Sequence, residues 1–298
     1  SCRTSVSGSI RPPARRRQGP RGRLCAAPAC RVRSRSTSTT NRLGTNTAMT
    51  DKHAAAPSDS PRPRDLTSRN RMTVYSKKLF RNDSLEHRIA RAICDAGCLP
   101  RKEFFEAWEV AKRVRRRMRG GHIYDLAAGH GVVAAILLLL DDTSPGATCV
   151  DLQRPASQAK VLAALEAEWP RLVGRITYIE GDLDDVRPAP GDLVVSVHAC
   201  RDLTDRVLAV AVRAGCRVAV LPCCHDLKRC KAGAYKGWME PTLAVDVARV
   251  VRMELAGYDV TTGSIPAAIT PKNRLLLACP PSPPRPSPPP SARDITDA

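Results

Sequence analysis

Between residues 84 and 280, short apolar runs alternate with longer stretches in which apolar positions return every three or four residues. The runs at 123–126, 149–152, 176–179, 193–197 and 217–221 have the length and β-branched content of buried strands. The stretches 132–140, 156–169 and 204–214 between them have helical periodicity, and this alternation predicts a parallel, doubly wound sheet. A helix over 241–256 then leads to strands at 258–265 and 274–279, joined by the short segment 266–273, which reads as a terminal antiparallel hairpin. Upstream, Ser84 precedes a helix carrying Leu85, Ile89, Ala92 and Ile93. Pro100 opens a second helix over 104–118, and the two form a helical prelude to the sheet. The most apolar run, 132–140, is far short of the roughly 20 residues that cross a bilayer, so it predicts a buried helix and no membrane partner.

The ends have another composition. Residues 1–75 are rich in Arg, Ser, Thr, Pro and Ala with little apolar periodicity, and residues 281–298 are rich in Pro; both are expected to be disordered. The domain plan is therefore a basic leader over 1–75, the prelude over 76–119, a sheet domain over 120–280 and the tail. Of the net charge of +19, roughly +13 falls in the leader, so charge says little about the folded part. An Arg-rich, acid-poor leader predicts a transit peptide to a chloroplast or mitochondrion; a basic RNA-binding arm and sequence ahead of a start at Met49 or Met72 are the other readings. The basic run 112–119 reads as a solvated helix face or as a phosphate-contacting patch. The 12 cysteines are mostly scattered through a fold that needs no staples, which predicts reduced thiols.

Candidate chemistry begins at residues 122–131, His-Ile-Tyr-Asp-Leu-Ala-Ala-Gly-His-Gly. A strand runs into Asp125 and then a small-residue turn in which Gly129 and Gly131 allow close backbone approach to a ligand. The next helix aims free N–H groups at the same place. Asp151, about 20 residues on at a second strand end, suits a ribose. Asp182 follows the third strand. With Ala127, Leu152 and Leu183 these are the expected cofactor-binding residues.

The order strand, Asp-x-Ala-x-Gly-x-Gly, helix, strand, Asp, helix, strand, Gly-Asp resembles the class I S-adenosylmethionine-dependent methyltransferases. The resemblance implies an α/β fold with a Rossmann-like seven-stranded sheet, mostly parallel, and S-adenosylmethionine as cofactor. Asp125 and the terminal hairpin set it apart from nicotinamide dehydrogenases. Ala127 stands where the family's first glycine usually falls.

Two strand-end loops are chemically dense: His198-Ala199-Cys200-Arg201-Asp202 through Asp205, and Pro222-Cys223-Cys224-His225. This pairing is similar to a methyltransferase branch that contains Trm-thirteen-like transfer-RNA 2′-O-methyltransferases and the domain of a glutathione-transferase-C-terminal-domain protein. The resemblance implies an acceptor that is RNA or otherwise a small molecule. Arg201 departs from that branch, where glycine is common. His198, Cys200, Asp205, Cys223, Cys224 and His225 are the candidate catalytic residues, with His198 the first choice as base and also a cofactor neighbour. Asp202 and Asp205 are also expected as helix caps. Cys223, Cys224, His225 and Cys230 invite a metal, but adjacent cysteines suit a tetrahedral site poorly, so no metal ligand is expected. The segment 269–274 reads as a substrate-side lip or as a turn. A module that binds cofactor or RNA without transfer is the alternative function.

Overall fold

A computed structural model describes residues 69–281; most of the expected leader, with Met49, and the tail from residue 282 lie outside the described residues. The described residues just before 76 are packed against the prelude helices. Met72 is fully buried and its N–H donates to the Leu99 carbonyl at 2.8 Å, Arg71 bridges to Pro100, and Val74–Leu79 form a 3₁₀ helix. The last residues of the expected leader thus pack on the folded part, where Met72 and Phe80 share an apolar cluster with Phe104.

Helix α1 (Leu85–Ala96) starts at Ser84, whose hydroxyl oxygen accepts from the His87 N–H, and stops at Gly97 with φ 67°. After α2 (Arg101–Arg117) the chain runs β1 (Ile123–Leu126), α3 (Val132–Leu140), β2 (Ala147–Asp151), α4 (Gln158–Glu168), β3 (Ile176–Glu180) and β4 (Leu193–Ser196). It continues α5 (Leu203–Ala214), β5 (Arg217–Val220), α6 (Pro241–Leu255), β6 (Asp259–Ser264) and β7 (Arg274–Cys279). These form one seven-stranded sheet in the order β3-β2-β1-β4-β5-β7-β6, parallel except at β7, which pairs antiparallel with both β5 and β6.

The two-residue period of the strands divides the core. Leu193, Val195, Leu275 and Leu277 face the cluster made with α1 to α4, whereas Val194, Leu276 and Ala278 face α5 and α6. Helix α3 has no polar face, and eight of its nine residues are buried. Because β2 and β3 lie on one side of β1 and β4 lies on the other, the loops leaving β1 and β4 diverge and open a crevice at the strands' carboxyl ends.

The basic run at the end of α2 is not a continuous solvated face. Arg115 is buried; its guanidinium donates to the Leu137 and Met118 carbonyls and pairs with Asp141 at 3.2 Å. It thereby satisfies a carbonyl near the end of α3 that the helix itself leaves open. Lys112 and Arg113 pair with Glu109, which leaves Arg116, Arg117 and Arg119 exposed.

Candidate active site

The turn after β1 is built from left-handed backbone: Ala127 has φ 56°, Gly129 φ 52° and Gly131 φ 71°. At Gly131 a Cβ would come within 2.9 Å of the Cys149 Sγ, so glycine is required there. Ala127 holds a glycine-like conformation at a cost of roughly 1–2 kcal/mol. The Tyr178 hydroxyl donates to the Gly129 carbonyl at 2.9 Å and braces the turn from β3; no sequence motif marked that residue.

Asp125 is buried and its Oδ2 has no hydrogen-bond partner. Burial pushes its pKa well up, the Ala134 N–H offsets this only in part, and nearby Asp151 adds to the rise. A carboxylate oxygen left this way is matched to a ligand that brings a positive charge or a donor. Asp125 lines a cleft of ≈ 370 Å³ with Gly129, Asp151, Val197 and His198, within the roughly 300–1,000 Å³ of small-ligand sites. The Asp151 Oδ2 accepts from the Gly129 N–H at 2.9 Å, which ties the ribose candidate to the turn. Leu152, Asp182 and Leu183 line a narrow slot that continues past Ala127 and Asp151. One Asp182 oxygen is engaged by the Asp184 N–H and by Arg206.

A second cleft of ≈ 420 Å³ lies beside the first, lined by Lys102, Glu106, His198, Cys223, Cys224 and Lys272. His198 and Glu103 border both clefts. Burial lowers the His198 pKa against an opposing pull from Glu106, so the imidazole is neutral at neutral pH. Glu106 is itself buried; its Oε1 accepts from Lys102 at 2.5 Å and its Oε2 has no partner. The segment expected as a lip contributes Thr270, Pro271 and Lys272 to this cleft.

The thiols of the two loops meet. The Cys200 Sγ is 3.0 Å from the Cys223 Sγ, and the sulfurs of Cys200, Cys223 and Cys224 all lie within 4.8 Å of one another. The hydrogen bond from Cys223 is the largest influence on Cys200 and draws its pKa down to about 6 against burial, helped by Cys224, Lys272 and Arg201; Cys223 is pushed up in turn. Adjacent cysteines suit a tetrahedral site poorly by sequence, yet the turn after β5 brings both sulfurs beside that of Cys200. Arg201 has φ 62°, its N–H donates to the Cys224 carbonyl at 2.8 Å, and its carbonyl accepts from Arg249. It keeps the backbone shape that glycine would take freely.

Other candidates lie elsewhere. His225 Nε2 sits 2.8 Å from Asp246 Oδ1, and Cys230 is buried against Arg249. Asp205 is held by Arg249 at 3.0 Å and by Arg252 at 2.5 Å. Asp205 and His225 line neither cleft: the first turn of α5 points Asp205 at α6, where the fully buried Arg249 requires carboxylates. Asp202 makes no cap hydrogen bond through its side chain.

Residues 103–230, less than half of the chain, match the Methyltransf_32 family, a methyltransferase domain. The sheet order and the Asp-and-glycine turn are those of the class I S-adenosylmethionine-dependent methyltransferase fold, and the matched segment is similar to a methyltransferase domain, a class whose cofactor is S-adenosylmethionine. The orphaned Asp125 oxygen and the glycine cradle fit that cofactor. No curated protein matches the chain. Among solved structures, an O-methyltransferase family protein from Burkholderia thailandensis is 19% identical over 71% of this chain and 64% of its own, with a TM-score of 0.43. The mitomycin 7-O-methyltransferase MmcR is 18% identical over 70% and 60%, TM-score 0.40. The O-methyltransferase NcsB1 of neocarzinostatin biosynthesis, in complex with S-adenosylmethionine and a naphthoic acid, is 22% identical over 54% and 49%, TM-score 0.34. The chain spans less than two thirds of the length of each of these three proteins. No helix among the described residues is long and apolar enough to cross a membrane.

Proposed function

We propose that the chain transfers a methyl group from S-adenosylmethionine to an oxygen or nitrogen nucleophile of an acceptor bound between α2 and the 270–272 segment. The observation that carries this reading is that His198 borders both clefts, one beside Asp125 and Asp151 and the other beside Glu106. S-adenosylmethionine supplies an already activated methyl group, so alignment of the two partners provides much of the rate. The chain's own residues then have limited tasks. Asp125 and Asp151 hold the cofactor's polar groups, His198 accepts the proton from the acceptor, and the free Oε2 of Glu106 receives a donor of the acceptor and orients it.

RNA is the acceptor class we favour. The similarity of the His-x-Cys and Pro-Cys-Cys-His loops to transfer-RNA 2′-O-methyltransferases supports it, as do Arg69, Lys102 and Lys272 around the acceptor cleft. We also propose import into an organelle, on the composition of the leader.

The test is transfer of radiolabelled methyl groups to separated RNA, protein and metabolite pools. Label is expected in RNA; label in metabolites alone overturns the RNA acceptor, and no label in any pool leaves the non-catalytic module. His198→Ala is expected to lower turnover by about 100-fold or more while cofactor affinity stays within about twofold. Full activity in that variant removes His198 as the base.

A further inference from the structure

The cluster of Cys200, Cys223 and Cys224 is larger than catalysis by His198 requires. Cys200 belongs to the loop after β4 and lines the cofactor-side cleft, whereas Cys223 and Cys224 follow β5 and line the acceptor-side cleft. The three sulfurs lie where those clefts join. Two backbone hydrogen bonds hold the loops together: Leu221 N–H to the Ser196 carbonyl at 3.0 Å and Arg201 N–H to the Cys224 carbonyl at 2.8 Å. The cluster is therefore assembled by the fold.

From this geometry we infer that Cys200, Cys223 and Cys224 form a three-thiolate site for a thiophilic divalent ion, of which Zn²⁺ is the best match. Zn–S bonds of about 2.3 Å at tetrahedral angles put sulfurs about 3.8 Å apart. Separations within 4.8 Å are compatible with that spacing, and the Cys200 to Cys223 distance of 3.0 Å needs to open by under an ångström. Cys200 is exposed, so its side chain can make that adjustment.

A simple thiol pair is the competing explanation, but it uses two sulfurs and leaves Cys224 without a role. Lys272 Nζ lies 3.5 Å from the Cys224 Sγ. An ion with three thiolates carries a net charge of −1, and Lys272 is placed to balance it. Soft thiolate ligands favour zinc over magnesium or calcium. Three protein ligands leave a fourth position open, the pattern of zinc sites that receive a ligand rather than closed structural ones. That position adjoins the cleft shared by His198 and Glu106. The site thus takes an acceptor atom with a lone pair as its fourth ligand.

The experiment is a Co²⁺ titration of the full chain, reduced and freed of metal, followed by displacement with Zn²⁺. A near-ultraviolet sulfur-to-cobalt charge-transfer band at one equivalent is expected, lost on adding Zn²⁺. Cys200→Ser is expected to weaken this site by at least about 10-fold, and Cys279→Ser, a thiol on β7 outside the cluster, is expected to leave it unchanged. Thermal unfolding of Cys200→Ser checks that the variant folds. A cobalt spectrum identical in the wild type and Cys200→Ser overturns the site. So does a chain that binds no ion and instead loses two hydrogens to a Cys200–Cys223 disulfide in air. These readings do not depend on methyl transfer, so failure here and failure of the proposed activity are separable.

Discussion

Asp125 has a local environment hostile to its own charge, and that dictates how cofactor binding depends on pH. Its pKa is well raised by burial, and one of its oxygens has no donor. A cationic group of the cofactor binds the deprotonated form, so binding releases a proton below the raised pKa, and affinity rises with pH until that pKa is passed. Calorimetry in buffers of different ionisation enthalpy measures the proton. Asp125→Asn is expected to weaken binding and abolish its pH dependence; an unchanged slope in the variant would show that another group titrates. Ala127 makes a second prediction. Its φ of 56° strains an L-residue, so Ala127→Gly is expected to gain up to about 1 kcal/mol of stability after the greater flexibility of unfolded glycine is subtracted. Urea midpoints check this, and a loss of stability would mean that the Ala127 methyl is a packing contact worth more than the strain. Glycines 129 and 131 were legible in the sequence because left-handed backbone favours glycine at both and a Cβ at Gly131 would meet the Cys149 Sγ. The strain at Ala127 was not, since alanine is silent about its own φ.

At the scale of elements, the loops after β4 and β5 are held from behind by Arg249 of α6. Its guanidinium is fully buried, reaches Asp205 and Asp246 at 3.0 Å, and accepts the constraint of the Arg201 carbonyl by donating to it. Arg249→Met leaves two carboxylates short of a partner and is expected to cost roughly 3–5 kcal/mol. Denaturant midpoints measure this, and a cost below about 1 kcal/mol would mean that Arg252, Arg274 and His225 alone satisfy the carboxylates. This network explains which site residues the sequence disclosed. His198 and the thiols follow directly from strand ends, where an open parallel sheet puts its ligands. Asp205 and His225 share those loops in sequence, but their partners come from α6, about 20 to 44 residues later. Glu106 was hidden for the opposite reason. Its neighbours one or two turns away, Lys102, Glu103, Glu109 and Arg113, read as a solvated side of α2, and only tertiary packing turns that side toward His198.

For the molecule as a whole, alternation of apolar runs with helical stretches was enough to give seven strands, most clearly β1, β4, β5 and β7, whose residues are mostly buried, although the edge strands β3 and β6 carry no buried residue. The order in which strands lie side by side came only from the structure, and with it the crevice between β1 and β4. Several elements are tied by carboxylates whose pKa values are lowered. Burial opposes the shift in each, but donors outweigh it: Gly120, Thr143 and Arg115 at Asp141, Arg249 and Arg252 at Asp205, His225 and Arg274 at Asp246. Each contributes stability above the unfolded value near 4 that is lost as pH falls through the lower folded value. Two other sets act between pH 7 and 4 in opposite senses. His130 and His198, lowered by burial, lose stability on acidification as the unfolded chain takes up protons first. Asp125, Glu86 and Glu103, raised by burial, regain it. In the Cys200→Ser chain, where that thiol no longer titrates, the urea midpoint is expected to change little from pH 7 to about 4.5 and to fall steeply below about 4. A steep loss centred near pH 6 would mean that the two imidazoles, not the carboxylate ties between α2, α5, α6 and β7, govern the stability of the domain.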